Sequence, residues 1–174
     1  MRKLLLVIDM QNDFISGSLG TDAARKIVPK VKEKIEQYRQ SGDTVIFTRD
    51  THDDNYLQTQ EGRNLPINHC IKGTFGHNIS AELNTEGWEI IDKPTFGCLA
   101  LAKHIAENQN QWSEIELCGL CTDICVVSNA LILKAQLPET KITVDAECCA
   151  GVTPKSHTAA LLTMKMCQIN VKEK

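Results

Sequence analysis

Five apolar residues in a row, Leu4 to Ile8, end abruptly at Asp9. A short unbroken run of this kind predicts a strand buried on both faces, here Lys3–Asp9. The pattern then changes. From Asp22 to Gln40, residues Ala24, Ile27, Val28, Val31, Ile35 and Tyr38 recur at helical spacing and mark one face, and Ser41-Gly42 ends it. Thr44–Thr48 predicts a second strand, Glu89–Asp92 a third, Ile115–Cys118 a fourth, Lys141–Asp145 a fifth and Cys167–Val171 a sixth. Further helices are predicted over Leu99–Glu107, from a Thr122 N-cap to Ala135, and from Pro154, capped by Thr153, to Met166. Arg49–Asn78 is long, polar and without periodicity, and such a segment inside a domain is usually functional. Strands alternating with helices predict a three-layer α/β fold, a six-stranded parallel sheet with helices on both faces. No linker interrupts the pattern, so residues 1–174 are expected to form one domain.

Composition narrows the function. The net charge is −3 and there is no basic run, which argues against nucleic-acid binding. The apolar run that follows Met1-Arg2-Lys3 is too short for a signal-peptide core or a membrane span. A cytoplasmic protein without membrane association is expected, with its eight cysteines as thiols. Neither Cys121-x-x-x-Cys125 nor Cys148-Cys149 has the spacing of a zinc knuckle or a thioredoxin-type site.

The conspicuous polar residues fall at one place in this scheme. Asp9 ends the first strand, Asp50 and His52 follow the second, Lys93 follows the third, and Cys125 follows the fourth. All are expected at carboxyl ends of parallel strands, the edge where open α/β sheets bind ligands. Cys125 falls in the first turn of a predicted helix, where free N–H groups and the dipole favour a thiolate. A carboxylate can take the thiol proton and return it to a leaving amine, and a lysine favours both anions. Asp50, His52 and His69, with Glu61 as a possible fourth ligand, suit one divalent ion: zinc first, iron or manganese otherwise. His77, His104 and His157 are read as ordinary polar residues, the last two in helices.

These residues resemble a known family, the isochorismatase-like cysteine hydrolases, and within it the nicotinamidases. Asp9-Met10-Gln11-Asn12-Asp13-Phe14 is similar to the D-x-Q-N-D-F start. Asp50-Thr51-His52 with His69-Cys70-Ile71-Lys72-Gly73-Thr74-Phe75-Gly76 resembles the metal segment. Lys93-Pro94-Thr95-Phe96 resembles the lysine segment, and Gly119 to Val126 the G-x-x-T-D-x-C-V nucleophile turn. The resemblance implies a Rossmann-like sheet, a catalytic triad of Asp9, Lys93 and Cys125, and metal ligation by Asp50, His52 and His69. It also implies a cis peptide at Leu120–Cys121 and an oxyanion hole from the backbone N–H groups of Cys121 and Cys125. Phe14, Gln11, Leu120 and Phe96 are expected around the substrate. Leu65-Pro66-Ile67-Asn68 carries no aromatic residue where nicotinamidases often place a tryptophan. The expected activity is hydrolysis of nicotinamide to nicotinate and ammonia by a homo-oligomer. The alternatives are another small amide, ureido or carbamoyl substrate, isochorismatase chemistry, or a silent binding protein.

Overall fold

Strand β1, Arg2–Ile8, is the centre of the sheet, and its residues Leu4 to Ile8 are wholly buried. A computed structural model describes residues 1–173. The other strands are β2 (Thr44–Asp50), β3 (Glu89–Lys93), β4 (Trp112–Leu120), β5 (Ile142–Ala150) and β6 (Asn170–Lys172). They form one sheet in the order β3-β2-β1-β4-β5-β6, and every pairing is parallel. The chain therefore winds outward from β1 in one direction and from β4 in the other. Between those two strands it leaves a crevice at their carboxyl ends, the usual ligand position in such sheets.

Helices α1 (Asn12–Ile15), α2 (Asp22–Gln40), α3 (Gln60–Asn64), α4 (Leu99–Glu107), α5 (Val127–Gln136) and α6 (Pro154–Met166) complete the layers. Helix α2 starts at Thr21, whose hydroxyl accepts the Ala24 N–H, and lies across β1, β2, β4 and β5. Beneath it Lys34 pairs with Glu116 and Asp145, each at 2.7 Å, and the Tyr38 hydroxyl donates to Glu116 at 2.6 Å. Because strand side chains alternate, Ile115 and Leu117 face the opposite side from Glu116. Helix α5 packs between α4 and α6.

Several boundaries differ from the sequence reading: β4 is longer at both ends than Ile115–Cys118, and β6 starts only at Asn170 because α6 ends in a turn through Cys167 and Gln168. Strands β2 and β3 run on to Asp50 and Lys93, which stand side by side in register and so end their strands. Strand β5 continues past Asp145 through Ala146 and Glu147 to the buried Cys148, Cys149 and Ala150, with a register shift opposite Leu117 and Gly119. Thr122 does not cap a helix. Thr122–Val126 forms one wide turn in which the Val126 N–H reaches the Cys121 carbonyl, five residues back, and α5 begins only at Val127. Such π-type turns often mark functional sites. The long segment after β2 holds a 3₁₀ turn at Tyr56–Gln58 and helix α3.

Candidate active site

The end of β1 sets the first group. Asp9 has φ 46°, a left-handed conformation that aspartate tolerates better than most residues. Thr48 in β2 holds it there: its hydroxyl accepts the Asp9 N–H at 3.2 Å and donates to Asp9 Oδ1 at 2.6 Å. The other carboxylate oxygen lies 2.6 Å from Lys93 Nζ. Lys93 is fully buried, and its ammonium also meets Asp50 Oδ1 at 3.3 Å, the Thr95 carbonyl at 3.0 Å and Cys125 Sγ at 3.4 Å. One buried cation thus touches Asp9, Cys125 and the first residue of the metal motif.

The nucleophile turn is built on Gly119, whose φ of +118° and close approach to Ile8 leave no room for a side chain. The Leu120–Cys121 peptide is cis, as the resemblance implied. Cys125 is buried in the turn that follows. The hydroxyl of Thr122 pairs with His157 Nδ1 at 2.8 Å, and Asp123 accepts the Val152 N–H at 3.1 Å. His157 is therefore tied to the nucleophile turn, unlike a solvated helix residue.

Burial decides the electrostatics. It pushes the Cys125 thiol well above its usual range; the Asp9 charge adds to this and Lys93 opposes it. Against the thiolate favoured by a helix start, burial favours the neutral thiol beside a base. Burial also raises Asp9, against the pull of Lys93. Burial pushes Cys121 up to about 12.

Asp50, His52, Glu61 and His69 bring four ligand atoms within 4.8 Å of one another. His52 Nε2 lies 3.0 Å from Asp50 Oδ2 and 3.7 Å from Glu61 Oε1, and His69 Nε2 lies 3.6 and 3.9 Å from the same two oxygens. Ligands of a tetrahedral zinc ion with bonds of about 2.0–2.1 Å stand about 3.3–3.4 Å apart, so the set fits an ion with small adjustments. His69 Nδ1 lies 2.8 Å from the Ile67 carbonyl, which leaves Nε2 facing the group. Although burial alone would raise it, hydrogen bonds from His52 and His69 and the Lys93 charge hold the Asp50 carboxyl far below the usual range.

A cavity of about 290 Å³ opens over Cys125 and is walled by Phe14, Leu65, Phe96, Leu120 and Ile124, with Glu61 and His69 on the metal side. Three of the four residues expected around a substrate are there. Gln11 is not among its lining residues. Its side chain is fully buried, accepting the Asp50 N–H at 2.7 Å and donating to the Asp50 and His77 carbonyls at 2.8 and 2.9 Å. A short side chain from the end of β1 reaches the neighbouring β2 more readily than the cavity. His77 is also buried, its ring 2.9 Å from the Thr51 hydroxyl, so it is not a surface residue.

Sequence reasoning missed Thr48, Tyr56 and Asn129. Tyr56 is the sole aromatic of the long segment's first half, a signal that could have been used. Its ring packs 4.6 Å from that of His52 and 4.9 Å from that of His69, and its hydroxyl donates to the Leu65 carbonyl at 2.9 Å. Thr48 ends an otherwise apolar strand run and gave no distinct signal.

A sequence model of the isochorismatase domain matches residues 3–172. The chain belongs to the isochorismatase family. Among relatives of this family member, a protein of Arabidopsis thaliana named "Probable inactive nicotinamidase" is 30% identical, covering 92% of this chain and 87% of its own. The structure of a pyrazinamidase of Pyrococcus horikoshii in complex with zinc superposes with a TM-score of 0.86 at 28% identity, over 100% of both chains. An N-carbamoylsarcosine amidase of Thermoplasma acidophilum superposes with a TM-score of 0.81 at 27% identity, over 99% of this chain and 96% of its own. The family and the hydrolase class follow from these similarities.

Proposed function

We propose that the protein is a metal-containing cysteine amidohydrolase of the nicotinamidase type, converting nicotinamide and water to nicotinate and ammonia. The observation that carries this reading is the Lys93 ammonium, which contacts Asp9, Cys125 and Asp50 at once. It supports a nucleophile and a ligand-anchoring group working on one substrate.

In this reading Cys125 Sγ attacks the amide carbon while its proton passes to Asp9. The oxyanion rests on the backbone N–H groups of Cys121 and Cys125. Asp9 returns the proton to the leaving nitrogen and ammonia departs, leaving a thioester. Water then attacks the thioester carbon and gives a proton to Asp9; the acid leaves and the proton returns to sulfur. Lys93 keeps Asp9 charged enough to serve as base. Asp50, His52, His69 and Glu61 would hold the ion, which supplies a positive anchor for a ring nitrogen. The acidic donor set and the zinc in the Pyrococcus pyrazinamidase structure support this assignment.

A second reading, hydrolysis of another small amide or ureido compound, is favoured by Leu65, which stands on the cavity wall in a stretch with no aromatic residue. Ammonia release from nicotinamide, pyrazinamide and an N-carbamoyl amino acid, with and without chelator, separates the two. The proposal expects turnover of the ring amides, lost on chelation and restored by zinc. Turnover of the carbamoyl compound alone would replace it, and no amide turnover by metal-loaded protein would refute both.

A further inference from the structure

Lys93 and Cys125 are brought together by strands that do not touch. Strand β3 is separated from β4 by β2 and β1. Sheet register places Lys93 beside Asp50, but no strand pairing sets its distance from Cys125. A link outside the sheet is needed.

Asn129 has the geometry of that link. It lies one turn after Cys125, is 1% exposed, and its amide is fully engaged. Nδ2 donates to the Cys125 carbonyl at 2.8 Å and to the Phe96 carbonyl at 3.0 Å, and Oδ1 accepts the Cys98 N–H at 2.9 Å. The first bond stays within the helical turns. The other two grip the segment that follows Lys93, whose Thr95 carbonyl accepts from Lys93 Nζ at 3.0 Å. Gly97 lets that segment lie directly on α5, since a Cβ there would overlap the Ile132 side chain. A buried side-chain amide with three bonds is a stiff connector, because freeing it would leave buried polar groups unpaired.

We propose that Asn129 is a positioning residue that sets the reach between the Lys93 ammonium and the Cys125 sulfur. The proposal rests on the thiol chemistry inferred above. It goes beyond that chemistry in giving the spacing of the two groups a cause, one amide that holds the carbonyl of the nucleophile and the lysine's loop together.

Asn129→Ser is the test. A serine hydroxyl can bond the Cys125 carbonyl within the helix, as Ser128 Oγ does with Ile124 at 2.6 Å, but it cannot span to Phe96 and Cys98. Misplacement of reacting groups on this scale lowers kcat by about ten- to a hundred-fold. KM should change by less than about threefold, since displacing the Lys93 segment disturbs the reacting groups more than the cavity. Iodoacetamide modification of Cys125, followed by peptide mass spectrometry, should slow in parallel, as Lys93 no longer sits against the sulfur. Ser128→Ala deletes a bond in the same turn without touching the Lys93 segment and should leave both readings unchanged. Asn129→Asp keeps the bond to Cys98 but loses both donated bonds. It is the second variant should the serine protein not fold, and it should be as slow. An unchanged kcat in either folded variant, with only a lower melting temperature, would reduce Asn129 to a packing role. Faster modification of Cys125 would overturn the proposal too, since it would mean loosened packing. The modification assay needs no substrate, so a wild type that hydrolyses no amide would count against the proposed function while the clamp is still read.

Discussion

Replacing Lys93 with methionine keeps the length of the side chain and deletes its charge. The ammonium stands 2.6 Å from Asp9, 3.3 Å from Asp50 and 3.4 Å from the Cys125 sulfur. Without it, two buried carboxylates share a dry site with no lysine between them. Burial and the Asp50 charge already raise Asp9 against the pull of Lys93, and the substitution removes that pull. An opposite charge at this range is worth about 1.4–4 kcal/mol to an ionised carboxylate. The affinity of Asp9 for its proton therefore rises about ten- to a thousand-fold, and its strength as the base for the thiol is altered accordingly. The sign is specific. A carboxyl whose affinity for its proton rises is freed only at higher pH, so the activity profile should shift toward base, with the loss greatest in acid. The assay is kcat/KM for ammonia release from about pH 5 to about pH 10, on a variant shown to be folded by its melting curve. A loss of equal size at every pH would refute this account, because Lys93 would then act by position alone.

Three further outcomes are expected. Cys125→Ala should abolish turnover with the fold intact while Cys121→Ala is milder, because Cys121 is assigned a backbone role; a dead Cys121→Ala beside an active Cys125→Ala would exchange their roles. His52→Ala should raise KM for ring amides far more than for acyclic ones and lower the bound metal measured by mass spectrometry, and a metal-free wild type with full activity would contradict the metal assignment. Lys34→Met should cost about 3–5 kcal/mol in urea unfolding at neutral pH by stranding Glu116 and Asp145. Asp145 is held below its ordinary range because the Lys34 hydrogen bond and charge outweigh burial, so its contribution is present above about pH 4 and lost as pH falls through its folded value. Lys34 is itself raised, with its two carboxylate bonds outweighing burial, so its share persists until pH rises past about 10. The gap between variant and wild type should be widest between those limits, and a gap indifferent to acid would show that the ion pair is not its source.

How much of this was legible beforehand depended on how far each contact reaches along the chain. The apolar run at Leu4–Ile8 and the helical face from Ala24 to Tyr38 announce themselves locally, because burial imposes a period on neighbouring residues. The convergence of Asp9, Asp50, Lys93 and Cys125 followed from strand ends, since parallel strands present their carboxyl ends on one edge. Asn129 was invisible because its partners Phe96 and Cys98 lie more than thirty residues away. Gln11 was placed around the substrate for a similar reason: nothing in its neighbourhood shows that Asp50 and His77 claim both ends of its amide. The opposing influences on the Cys125 thiol were unequally visible, because position near a helix start is readable in sequence, while the depth of burial that opposes it is not.

The burial that favours the thiol of Cys125 over its thiolate has a chemical consequence for the life of the protein. Peroxide and other oxidants attack thiolates, and the sulfenic acid they form is the first step toward irreversible loss. A nucleophile held as a thiol in a dry pocket offers them little to react with. Its reaction with an electrophile, a substrate carbonyl or an alkylating agent, runs through Asp9, which takes its proton. Cys167, at the end of α6 and exposed to solvent, presents its sulfur openly. Oxidative damage should therefore collect first on a residue that does no chemistry.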